Sequence, residues 1–75
     1  MDDLTDAELP GYFDAHCRTE RALFHKSHIV RLVRLSGDER LAKLIDDEAP
    51  EFMVMRPQEA DPLIRKCYDL QKLAE

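Results

Sequence analysis

The longest helical pattern in the chain covers residues 12–35, which contain no proline and no glycine. At about 100° per residue, five side chains of this stretch fall on one face of a helix. They are Phe13, Cys17, Phe24, His28 and Leu35. The pattern therefore predicts one long central helix with a stripe that faces the core. The sequence leaves open a break near Ser27, because a serine side chain can redirect backbone hydrogen bonds.

Two segments have the sequence of a capping box, in which a hydroxyl and a carboxyl group satisfy the first backbone N–H groups of a helix. The first, residues 5–8, predicts a short helical cap before Pro10, where the central helix would restart. The second, residues 36–39, has serine at the cap and glutamate three positions on. It predicts a short second helix from Gly37 to about Glu48. The apolar stripe of this helix is Leu41, Leu44 and Ile45.

The last third of the chain contains an extended apolar connector, residues 51–57, followed by a C-terminal helix. The connector resembles a short edge strand, but no second strand is evident in this chain, which leaves pairing across a dimer as the alternative. Asp61 is placed to cap the last helix, with Pro62 at its first position. Its stripe is Leu63, Ile64, Cys67, Leu70 and Ala74. The pattern predicts an all-α, three-helix domain over residues 1–75.

Charge and composition limit the partners and the cellular compartment that we expect for this domain. The 75 residues carry a net charge of −5, which disfavours nucleic acid as the main partner because a phosphate backbone would repel it. No apolar run approaches the roughly 20 residues that span a bilayer. The acidic N-terminus differs from the basic, then apolar, start of a signal peptide. We therefore expect a cytoplasmic protein with no membrane partner, in which Cys17 and Cys67 are buried, unpaired thiols.

No group of residues favours catalysis or metal binding. His25 and His28 have the spacing of two ligands on one helix face, but the sequence supplies no second pair. Cys17 follows His16, yet neighbouring side chains of a helix point about 100° apart and cannot act as thiol and base. The chain has only two glycines, too few for a phosphate-binding loop. We expect neither enzymatic activity nor a metal or cofactor.

The strongest functional signal is a surplus of apolar side chains in the second half of the central helix. Ile29, Val30 and Val33 lie away from the core stripe, where one small core would leave them uncovered. Two apolar methionines of the connector are adaptable side chains, as at many binding surfaces. The expected partner or dimer interface is Ile29, Val30, Val33, Arg31, Arg34, Met53 and Met55. This pattern favours a small interaction module or regulator that binds and modulates a larger protein. It also favours a homodimer over a monomer.

The alternative is a nucleic-acid-binding transcriptional regulator. Arg31 and Arg34 form a basic strip on the central helix, and the tight turn before the second helix is typical of a helix-turn-helix. The second helix would then read the groove with polar and basic side chains. It offers only Arg40 and Lys43 among several acids, so it makes a poor recognition helix.

Overall fold

The computed structural model describes residues 5–74, and this part of the chain contains four helices and two short strands. Their order is α1 (Leu9–His16), β1 (Leu23–His25), α2 (Lys26–Leu35), α3 (Glu39–Glu48), β2 (Phe52–Val54) and α4 (Pro57–Ala74). The prediction of a predominantly helical small domain is confirmed. The detail of three helices is wrong, because the central segment divides and a two-stranded antiparallel sheet forms.

The prediction of one helix over residues 12–35 fails at the end of α1. The hydroxyl of Thr19 donates to the carbonyl of His16 at 2.8 Å and accepts the backbone N–H of Ala22 at 3.1 Å. Ala22 then has a φ of 46°, in the left-handed region, which no continuous right-handed helix contains. A threonine thus supplies the local hydrogen bonds that compete with the helix, without any glycine or proline in the loop.

Helix α2 begins at Lys26, next to Ser27, where the sequence left a break open. His25 is the extended residue that caps it, and its Nδ1 accepts the backbone N–H of Ser27 at 3.1 Å. A side-chain acceptor at this position satisfies one of the first N–H groups of the helix, which have no partner inside it. The helix therefore starts with an imidazole as its cap.

Strands β1 and β2 form an antiparallel ribbon, which we call the β ribbon. Its paired residues are Leu23 and Val54, Phe24 and Met53, and His25 and Phe52. Beyond the strands, the N–H of Lys26 donates to the carbonyl of Glu51 at 2.8 Å. At the other end, the N–H of Met55 donates to the carbonyl of Ala22 at 2.9 Å. The expectation that residues 51–57 lack a strand partner in this chain is therefore wrong, because the partner lay in the segment assigned to the long helix.

A tight turn joins α2 to α3, and the two helices pack against each other. Gly37 has a φ of 94° in this turn, a conformation that favours glycine. Asp38 caps α3, since its Oδ1 accepts the N–H of Leu41 at 3.1 Å. Ser36, the expected cap, instead donates its hydroxyl to the carbonyl of Val33 at 2.6 Å. The turn was located correctly, but the cap lies two residues later.

The first and last helices also differ in detail from the sequence pattern. The N–H of Glu8 donates to Oγ1 of Thr5 at 3.3 Å, as in a capping box, and α1 then starts at Leu9. Helix α4 begins at Pro57 and carries Pro62 inside it, so Pro62 is not its first residue. Asp61 does not cap the helix; its Oδ1 lies 3.6 Å from Nη2 of Arg18, just after α1.

The core lies where α1, α2 and α4 meet, and the β ribbon lies against it. Phe13 of α1 stacks on Phe24 of β1, with ring centroids 4.3 Å apart. The thiol of Cys67 in α4 donates to the carbonyl of Leu32 in α2 at 3.6 Å. The largest fully buried side chains are Phe13, Phe24, Leu9, Ile29, Leu32, Val33, Pro10, Cys17 and Cys67.

Candidate interaction surface

Most of the apolar residues that the sequence predicts for an interface lie inside the domain. Ile29 and Val33 have no exposed surface, Val30 is 6% exposed and Met55 is 7% exposed. Helix α2 is in contact with α1, α3, α4 and β1, so one chain covers its apolar side chains, while Ser27 and Arg34 stay exposed. The expected surplus of apolar surface on α2 is therefore absent. Met53 is half-buried and packs against the core.

The two arginines of the nominated interface remain at the surface. Nη2 of Arg31 lies 2.8 Å from Oδ1 of Asp6, and both side chains are partly exposed. Arg34 is exposed in the last turn of α2. Because Ile29, Val33 and their neighbours lie inside, the nominated residues do not form one continuous surface.

The outward face of the β ribbon carries three large, exposed apolar side chains, which we call the ribbon patch. It consists of Leu23, Phe52 and Val54, whose exposed fractions are 51%, 54% and 51%. Leu23 and Val54 are directly opposite each other across the two strands. Cross-strand neighbours on one face have Cβ atoms about 5 Å apart, so these side chains lie side by side. The patch brings together two segments that lie on either side of α2 and α3 in the sequence.

His25 completes the outward face and fixes its geometry. Its ring meets that of Phe52 edge to face, with centroids 5.1 Å apart. Because Nδ1 accepts the N–H of Ser27, the ring proton of the neutral form is on Nε2, which lies 3.5 Å from Oε1 of Glu51. One imidazole therefore links the cap of α2, the aromatic ring of the patch and the residue before β2.

The outer edge of β2 presents backbone hydrogen-bonding groups to the outside. In an antiparallel pair, successive residues alternate between pointing their N–H and C=O groups at the partner strand and away from it. The bonds at Glu51 and Met55 point towards β1, which places Met53 in the same orientation. The N–H and C=O groups of Phe52 and Val54 therefore point away from β1. Within the described residues the sheet has only two strands, so no third strand pairs with them.

Other exposed apolar side chains are distributed over two helices. Leu41 and Leu44 lie on α3, where they are 38% and 52% exposed. On α4 the exposed residues are Tyr68, Leu70 and Leu73. Leu70 also approaches the α2–α3 turn, since a Cβ added at Gly37 would lie 3.4 Å from its Cδ1. Each of these sets is carried by a single element, whereas the ribbon patch is formed by two.

Pockets, metal-binding clusters and reactive thiols are the features of the described residues that bear on catalysis. Residues 5–74 contain no pocket and no group of three or more His, Cys, Asp or Glu side chains placed to hold a metal ion. Cys17 and Cys67 are free and buried, and burial raises the pKa of each thiol. A thiol with a raised pKa is a poor nucleophile at neutral pH. Within the same range, no helix is long and apolar enough to cross a membrane.

Comparison with protein-family models gives no match, and neither the curated proteins nor the solved structures provide one.

Part of the ribbon patch was visible in the sequence. The sequence pattern at residues 51–57 predicts a strand-like connector, and β2 forms there, but the predicted interface includes Met53 and Met55 and not Phe52 and Val54. Leu23 lies within residues 12–35, for which the pattern predicts one helix, so the sequence does not indicate that it belongs to a strand. A strand of three residues has too short a pattern for alternation to identify it.

Proposed function

We propose that this protein is a non-catalytic interaction module that binds and modulates a larger protein through the ribbon patch. The observation that carries the proposal is the clustering of Leu23, Phe52 and Val54, each about half exposed, on one face of two paired strands. Scattered exposed apolar residues are normal on a protein surface, but a contiguous set next to polar side chains is typical of a contact site. The surroundings of the patch are polar, with His25 and Glu51 at one end.

The energetics fit a contact surface better than a structural one. Burying the exposed halves of three large apolar side chains contributes about 2–4 kcal/mol, at 1.5–3 kcal/mol for a whole side chain. The folded monomer does not gain this energy, since these halves remain in water. A partner that covers them gains it on binding.

The proposal is tested by affinity capture from a lysate of the native host, followed by quantitative mass spectrometry. Leu23→Thr and Phe52→Thr remove apolar surface while keeping residues that favour strands. We expect the double variant to lower recovery of a specific partner by about tenfold, the effect of losing one good contact. Leu73→Gln is the matched control, because Leu73 is 82% exposed on α4, away from the β ribbon. Equal recovery by all three proteins would contradict the proposal.

A second candidate is nucleic-acid binding, favoured by the short turn that joins α2 and α3. Against it, Arg31 already pairs with Asp6, and α3 carries Glu39, Asp46, Asp47 and Glu48. A mobility shift at 50 mM salt that disappears in an Arg31→Ala, Arg34→Ala double variant would support this candidate, because phosphate contacts are strongest at low salt.

A further inference from the structure

We infer that the outer edge of β2 pairs with the same edge of a second copy of this chain, antiparallel, to give a four-stranded sheet. The dimer would join two ribbon patches into one larger surface. The role of this larger surface in binding a partner rests on the proposed function. It differs from the full interface expected from the sequence, which included the buried Ile29 and Val33, and it agrees with the alternative of strand pairing by residues 51–57 across a dimer.

The backbone supplies the first argument. The outward N–H and C=O groups of Phe52 and Val54 have no strand partner within the described chain. In antiparallel pairing about a two-fold axis at Met53, Phe52 of one copy faces Val54 of the other. Each such pair exchanges two hydrogen bonds, so both outward residues of each copy are satisfied in this one register. Exposed strand edges are ready templates for pairing of this kind.

The side chains supply the second argument. In this register the ring of Phe52 lies next to the β-branched side chain of Val54 of the other copy, a favourable cross-strand pair. The outward faces of the two ribbons then become continuous. Six large apolar side chains, two each of Leu23, Phe52 and Val54, would lie on one surface in place of three.

The charges at the two ends of β2 supply the third argument, because they are complementary under a two-fold axis. Glu51 precedes the strand and Arg56 follows it at a short distance, and both side chains are exposed. In this register Glu51 of one copy faces Met55 of the other, so its carboxylate lies one residue away from Arg56 of that copy, and this occurs at both ends of the paired strands. A parallel arrangement would bring like charges together, which is destabilising across strands.

The edge of β1 fits a second copy less well. Arg21 and Lys26 flank that strand, so antiparallel self-pairing would place two bases together at each end. His25, its last residue, also caps α2, and the carbonyl of a capping residue accepts the first bond of the helix. The edge of β1 therefore has fewer backbone groups to offer, and charge complementarity selects β2.

Sedimentation equilibrium of the purified chain tests the inference through a charge exchange. We expect the unmodified chain to be a dimer. Glu51→Arg or Arg56→Glu alone should raise the dissociation constant of the dimer at least about tenfold, since each creates repulsion at both ends of the paired strands. The double variant, with both changes, restores the opposite charges and should recover dimerisation to within about threefold. A double variant as weak as either single one would overturn the inference, as would an unmodified chain that stays monomeric at 100 µM, roughly the range of weak complexes.

Two substitutions at Val54 test the backbone pairing. Val54→Pro removes the outward backbone N–H while leaving the bonds to β1 in place. Val54→Thr keeps this backbone N–H and has a side chain of similar shape. We expect the proline variant to be monomeric and the threonine variant to be dimeric, with the same helical circular dichroism. Equal dimerisation by the two folded variants would overturn the inference.

The two proposals fail separately. If the unmodified chain is a monomer, and the Leu23→Thr, Phe52→Thr double variant still loses its captured partner, the dimer is refuted and the proposed function is retained. A dimer that captures no partner sensitive to these substitutions retains the paired edges and refutes the function.

Discussion

The rings of Phe13 and Phe24 stack with an interplanar angle of 19° and a centroid separation of 4.3 Å, which joins α1 to the β ribbon. Both side chains are buried, and Tyr12 meets each of them edge to face. The stack lies under the strand that carries Leu23, so it positions the patch from below.

We expect the two rings to be energetically coupled. Phe13→Leu and Phe24→Leu should each lower the free energy of unfolding by about 1 kcal/mol, because they keep most of the volume. A double-mutant cycle measured by urea unfolding should give a coupling of about 0.5–1.5 kcal/mol, typical of aromatic pairs. The cycle of Phe13→Leu with Leu73→Ala is the control and should be additive. Additivity in both cycles would contradict the stack.

The two glycines should respond in opposite directions to the same substitution. Gly37→Ala places a side chain at a φ of 94° and should lower the free energy of unfolding by about 1–2 kcal/mol. Gly11→Ala lies within α1, where nothing is within 4 Å of the new Cβ, and should raise it by about 0.5–1 kcal/mol. Thermal unfolding of both variants checks the pair. A neutral Gly37→Ala would show that the α2–α3 turn differs from the one described.

Proline inside α4 should cost stability. The nitrogen of Pro62 has no hydrogen to donate to the preceding turn, and its ring crowds that turn. Pro62 is exposed, so Pro62→Ala loses little packing and should raise the free energy of unfolding by about 1–3 kcal/mol. Pro57→Ala, at the first position of the helix, is the matched control and should change it little. If both variants behave alike, α4 begins near Pro62, as the sequence pattern suggested.

Burial of the thiols predicts how stability depends on pH in the alkaline range. Burial raises the pKa of Cys17 and Cys67 in the folded state, so the unfolded chain loses these protons first as pH rises. Their contribution to stability is therefore fully present below the unfolded thiol pKa and is lost as pH rises through the folded values. Urea unfolding from pH 7 to 10 measures this loss, and a Cys17→Ala, Cys67→Ala variant should show a flatter decline. Rapid alkylation of the native thiols at pH 7 would contradict their burial.

Local patterns in the sequence predicted those parts of the fold that depend on local contacts. Ile64 and Cys67 of the predicted stripe face the core, whereas Leu70 is 42% exposed and the side chain of Ala74 lies outside the described residues. The turn at Gly37 lies between two helices. The division of the central segment was not predictable in this way. It depends on hydrogen bonds of Thr19 and on pairing between Leu23 and Val54, which are distant in sequence. The burial of Ile29 and Val33 likewise depends on which helices surround α2, and this is decided by the whole fold.

The β ribbon makes the proposed contact surface a property of the native state alone. Leu23 and Phe52 lie on either side of α2 and α3 in the sequence and come together in the folded chain, so an unfolded chain has no patch to offer. A ligand of the patch therefore binds the folded domain and not the unfolded one. At a free concentration one hundred times its dissociation constant, it would add about 2.7 kcal/mol to the free energy of unfolding. For a domain of this size that is a large increment, and occupancy of the patch would govern how long the protein survives proteolysis.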